Sequence, residues 1–139
     1  DELTYTAGVR KLSFRYISLQ KPRTGFSIHF DNDRYSRSYY PGAEIPYQEK
    51  ILFDSIRVIH KKKIHLMEIG TPVDLVHMTN CVIGNSTICF HGNHALEDYG
   101  NTKANICNCI FNNFKKENFI ENNLEKKEIS VRFSGNIEI

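Results

Sequence analysis

The sequence has no long apolar run, no dominant charge sign, no cysteine before position 81 and no established catalytic signature. Each absence excludes something. Nothing reaches the roughly 18 uninterrupted apolar residues of a helical membrane span, so no transmembrane segment is expected. Eighteen Lys and Arg against 16 Asp and Glu leave a net charge of +2, too little for a broad field, and a nucleic-acid partner is not expected. There is no G-x-S-x-G, P-loop, G-x-G-x-x-G or H-E-x-x-H. A starting Met and a basic-then-apolar leader are also missing, which reads as a mature secreted form or an excised fragment.

What is present suits one packed domain over residues 1–139, with 40% hydrophobic and 24% charged residues. Period-2 alternation dominates the first eighty residues. It predicts strands at Leu12–Ile17, Phe26–Phe30, Ile51–Phe53, Ile56–Ile59, Ile64–Ile69 and Val73–Val76. Turns are predicted at Lys21–Gly25, Asp31–Asp33 and Tyr39–Gly42. Glu128–Phe133 is the cleanest alternating strand, turned by Ser134-Gly135-Asn136 into Ile137–Ile139. Between them, Thr102 reads as the cap of a short helix across Lys103–Phe114, with an extended Asn105–Ile110 as the competing reading. Lys115–Lys127 reads as a solvated loop. No internal repeat is evident. The expected fold is all-β: a disulfide-pinned β-sandwich with one short helix or irregular insert near residues 92–123.

The four cysteines crowd into residues 81–109. An even count is compatible with a disulfide framework in an oxidising compartment. Cys107 and Cys109 are too close in sequence to bond each other without strain. The pairing is therefore nested (Cys81–Cys109 with Cys89–Cys107) or crossed (Cys81–Cys107 with Cys89–Cys109), and an antiparallel arrangement of the two segments favours the nested form. Asn85-Ser86-Thr87 is a glycosylation sequon between the first two cysteines, consistent with a secreted surface loop.

The run Asn80–Phe90, followed by Asn105-Ile106-Cys107-Asn108-Cys109, resembles the six-cysteine surface-protein domains of malaria parasites, without that family's first cysteine pair. The resemblance implies a disulfide-pinned β-sandwich closed by a final strand where Glu128–Phe133 lies. It also implies a secreted or cell-surface adhesion or receptor-complex component without catalysis, whose partner is another protein. Its binding face is expected at Arg34, Tyr35, Arg37, Tyr39, Tyr40 and Tyr47, since Tyr and Arg are favoured in interface hot spots. The basic run Lys61-Lys62-Lys63, which also reads as a solvated turn between two strands, is a second candidate, as an anion, glycan or nucleic-acid patch.

A competing reading needs zinc as a cofactor. His77, Cys81, Cys89, His91, His94, Cys107 and Cys109 form a ligand pool for it, and the span His77 to Cys107 resembles the His-Cys-box homing endonucleases. That resemblance implies His77 as the base, Asn101 as ligand to a catalytic divalent ion, and Cys81, Cys89, His94 and Cys107 around a structural zinc.

Overall fold

A computed structural model of the chain describes residues 3–5, 10–19, 26–28, 48–70, 72–91, 102–125 and 127–139, with the backbone course alone for 3–5 and 26–28. Among the described residues thirteen strands run in chain order: β1 Leu3–Tyr5, β2 Lys11–Arg15, β3 Ser18–Leu19, β4 Phe26–Ile28, β5 Gln48–Asp54, β6 Arg57–Ile69, β7 Val73–Thr79, β8 Val82–His91, β9 Thr102–Cys107, β10 Ile110–Phe111, β11 Ile120–Asn123, β12 Ile129–Ser134 and β13 Ile137–Glu138. They form two sheets packed together, one of five strands in the order β12-β9-β7-β5-β2 and one of eight.

Every strand pairing is parallel. The strand order explains how. In the five-stranded sheet Lys11 is in register with Lys50, Lys50 with Leu75, Leu75 with Lys103 and Lys103 with Ser130. Each strand is therefore followed by a circuit through the other sheet before the chain returns one level further along. The chain is a parallel β-solenoid of five turns, and equivalent residues recur after 39, 25, 28 and 27 positions. Such architectures are quasi-one-dimensional, each turn resting only on its neighbours.

Side chains stack in columns along the axis. Leu12, Ile51, Val76, Ala104 and Val131 form one inward column, and Phe14, Phe53, Met78, Ile106 and Phe133 the next. In the three central turns these residues are at most 1% exposed. The Phe14 and Phe53 rings stack with centroids 5.2 Å apart. Fully burying a side chain of this size contributes about 1.5–3 kcal/mol. Across the core, Val58, Ile83 and Phe111 make the matching column of the eight-stranded sheet.

The corner between the sheets repeats too. Tyr16, Ser55, Asn80, Asn108 and Gly135 occupy equivalent positions, and all hold the left-handed conformation, with φ between 54° and 64°. A single residue of that kind breaks the strand and lets the chain turn inward. Asn tolerates the geometry better than most residues, and Gly without cost. The next residue points into the core: Ile56, Cys81 and Cys109 are each 1% exposed. Asn136 ends the column by accepting from the Cys109 amide at 2.9 Å and donating to the Ile106 carbonyl at 2.9 Å.

Several expectations are corrected. The Lys103–Phe114 helix is instead the two short strands β9 and β10, so the extended reading holds; Thr102 caps no helix but donates to the Val73 carbonyl of the preceding turn at 2.8 Å. Lys115–Lys127 contains a 3-10 turn at Lys116–Asn118 and the strand β11, and its Phe119 is fully buried, edge-on to Phe111 at 5.5 Å. An internal repeat does exist, but its variable period and dissimilar side chains conceal it.

No disulfide is formed; all four cysteines are free. Cys81 and Cys109 are neighbours in the inward corner column, where Cys81 Sγ donates to the Thr79 carbonyl at 3.2 Å and Cys109 Sγ to the Cys107 carbonyl at 3.3 Å. Cys89 and Cys107 alternate outward on different sheets, so the nested partner pair is separated by the body of the solenoid. The antiparallel arrangement that favoured nesting is absent, because both segments run in the same direction.

Candidate functional site

In a solenoid the core fills the interior, so chemistry is left to the outward columns. The five-stranded sheet presents Lys11, Ser13 and Arg15 on β2; Lys50, Leu52 and Asp54 on β5; Leu75, His77 and Thr79 on β7; Lys103, Asn105 and Cys107 on β9; and Ser130, Arg132 and Ser134 on β12. On these five strands the cationic Lys11, Arg15, Lys50, Lys103 and Arg132 outnumber three anionic side chains outside the core, Glu49, Asp54 and Asp74, a local net charge of +2. Lys11, Lys50 and Lys103 lie in one column, with turns about 4.8 Å apart along the axis. Glu49 lies beside this face, 3.8 Å from the Lys11 ammonium.

At one end of the face a groove of about 430 Å³ is lined by His77, Asn105, Cys107, Arg132, Phe133 and Ser134. Cys107 Sγ lies 4.0 Å from His77 Nε2. Burial, then the nearby Lys50 charge, holds His77 below the ordinary imidazole range, with Asp54 opposing. His77 is therefore neutral at pH 7.

The eight-stranded sheet presents a different set. His65 and Glu68 of β6, Cys89 of β8, and Glu121 and Asn123 of β11 meet on its outward side, where Glu68, Cys89 and Glu121 are in register on adjacent strands. His65 Nδ1 contacts Glu68 Oε1 at 2.8 Å, and His65 Nε2 faces Glu121 Oε2 at 3.2 Å. Lys63 forms an ion pair with Glu121, and Asn123 Nδ2 donates to Cys89 Sγ at 3.3 Å. Burial, reinforced by the Glu121 and Glu68 charges, pushes the Cys89 thiol up. Burial acts to raise the Glu121 carboxyl as well, but the Lys63 and His65 contacts outweigh it and hold that group below its ordinary value.

The expected site residues are distributed as follows. Arg34, Tyr35, Arg37, Tyr39, Tyr40 and Tyr47 lie outside the described residues, as do His94 and Asn101. Lys61, Lys62 and Lys63 are exposed, but they project from a bulge inside β6, where four residues (60–63) stand opposite Asn85, rather than from a turn between strands. Asn85 lies in β8, not in a loop, and its Nδ2 donates to the Lys61 carbonyl at 2.9 Å. The set Cys81, Cys89 and Cys107 does not converge: one is inside the corner and the other two face out from different sheets. His65, Glu68 and Glu121 are the site residues that sequence reasoning missed. They are 56 residues apart at the extremes, and only the register of successive turns brings them together.

No protein-family model matches this chain, and no curated protein or solved structure matches it either. No helix among the described residues is long and apolar enough to cross a membrane.

Proposed function

We propose that this chain is a binding module without a catalytic step, and that it engages an acidic segment of another protein along the outward face of the five-stranded sheet. One observation carries the reading: Lys11, Lys50 and Lys103 stack in a single outward column of that sheet, with Arg15 and Arg132 on the same face. A flat ladder of Lys and Arg favours an extended anionic partner, and such complementarity acts mainly on specificity and association rate. The groove between His77 and Arg132 offers a place for one anchoring side chain.

Poly-L-glutamate serves as the probe. The chain is expected to bind it at low ionic strength, to lose that binding as salt is raised, and to ignore poly-L-lysine. The triple variant Lys50→Glu, Lys103→Glu, Arg132→Glu should weaken binding at least about tenfold with an unchanged melting profile. Equal affinity of the variant, or tighter binding to a DNA duplex than to poly-L-glutamate, would overturn the proposal.

A further inference from the structure

We propose that His65, Cys89 and Glu121 form a zinc site on the outward face of the eight-stranded sheet, independent of the basic face and distinct from the cysteine set considered from sequence. His65 offers nitrogen, Cys89 sulfur and Glu121 oxygen, with the three ligand atoms within 4.8 Å of one another. Zinc takes such mixed donors at about 2.0–2.3 Å in a tetrahedron, which sets neighbouring ligand atoms roughly 3.3–3.8 Å apart. One pair already stands at 3.2 Å, His65 Nε2 to Glu121 Oε2. Modest side-chain contraction closes the set.

The surroundings fit the same assignment. His65 Nδ1 stands 2.8 Å from Glu68 Oε1, so with Nε2 on the ion its N–H would complete the carboxylate–histidine arrangement that orients a metal-ligating imidazole. The Asn123 amide donates to Cys89 Sγ, a contact that favours the thiolate. Thr87, in register with His65 and fully buried, has a hydroxyl with no hydrogen-bond partner. Lys63 already places a cation on the Glu121 carboxylate, so the ion would take over a role that an ammonium fills in its absence. On binding, the Cys89 thiol proton passes to solvent, Lys63 is released, and no oxidant or reductant is needed.

The donor set also selects the ion. A thiolate with an imidazole suits zinc, whereas Mg²⁺ and Ca²⁺ require oxygen ligands. The ligands come from the second, third and fourth turns, so bound zinc bridges three levels of the solenoid. His65 and Glu121 retain 33% and 20% side-chain exposure, which leaves the fourth position facing solvent.

Metal-free protein titrated with Co²⁺, then with Zn²⁺ in competition, tests this. One equivalent is expected, with a thiolate-to-cobalt charge-transfer band that disappears in Cys89→Ser and persists in Cys107→Ser. Zn²⁺ should raise the melting temperature by linkage, and Mg²⁺ should not. Glu68→Gln, which keeps all three ligands, should weaken Zn²⁺ binding about 10–100-fold. Lys63→Met should tighten it. Absence of the band, its survival in Cys89→Ser, or its loss in Cys107→Ser alone would overturn the site. Should Cys89→Ser fail to fold, the Glu68→Gln and Lys63→Met affinities decide: unchanged values in both reject the proposal.

Discussion

Tyr16 holds a φ of 56° at the first corner, where the equivalent residue of the last turn is Gly135. A bulky side chain pays roughly 1–2 kcal/mol for that conformation, and Tyr16 is 79% exposed, so it gains little packing in return. Tyr16→Gly is therefore expected to stabilise the chain by about 0.5–1 kcal/mol, after the entropy that glycine gains in the unfolded state is subtracted; a lower midpoint in urea would refute the strain argument. Lys127 titrates in the opposite sense to most lysines. Burial pushes its ammonium down to about 8, with Asp74 opposing, against 10.5 when unfolded. Between those values the unfolded chain holds the extra proton, so this group's contribution to stability rises with pH across that window. The raised Cys89 and Cys109 thiols act the other way, losing their contribution as pH climbs through the ordinary thiol range. A comparison with Lys127→Met isolates the lysine: the variant's stability advantage at pH 7 should shrink between pH 8 and 10.5, and a constant gap would exclude the effect.

At the scale of elements, alternation was legible wherever one face of a strand meets the core and the other meets water. Glu128–Phe133 corresponds to β12, and the 64–69 and 73–76 readings fall within β6 and β7. Two kinds of element were not legible. β9 carries Thr102, Ala104 and Ile106 inward, of which only Ile106 is strongly apolar, so its alternation is weak, and Cys107, Ile110, Phe111 and Phe114 fall at helical spacing by coincidence of two short strands and a corner. β11 was hidden by its polar outward residues, although Phe119 and Ile120 mark its approach to the core. Within β6, the bulge at 60–63 is held by His60 Nδ1, in contact with the Lys62 carbonyl at 2.8 Å, and by the Asn85 side chain on the Lys61 carbonyl. Asn85→Ala removes the second tie and should cost about 0.5–1.5 kcal/mol. Amide exchange at Lys61–Lys63 should rise selectively, while unaltered exchange there would show that the bulge holds without it.

For the whole molecule, stability follows position along the axis. Central turns are covered on both sides, whereas Ile129, Val131 and Phe133 of the last described turn are only partly buried, and Ile137 and Ile139 are 57% and 64% exposed. Lys116 helps to cover that end, its ammonium 5.9 Å from the centre of the Phe133 ring. Opening should therefore begin at β12 and β13 and spread inward. Native-state exchange is expected to be slowest in β5 to β9 and fastest in β12 and β13; uniform protection along the axis would contradict a turn-by-turn arrangement.

The sequence by itself determined that the chain is β-rich and which side chains turn inward along most strands. It did not determine strand direction, because a strand with one buried and one wet face alternates identically in parallel and antiparallel sheets. Only the tertiary structure decided that all pairings are parallel. That choice stacks residues some 21 to 39 positions apart, sends Cys81 and Cys109 into the corner, and turns Cys89 and Cys107 outward on different sheets. The meeting of His65 with Cys89 and Glu121 depends on register between turns, a long-range property that no local pattern encodes.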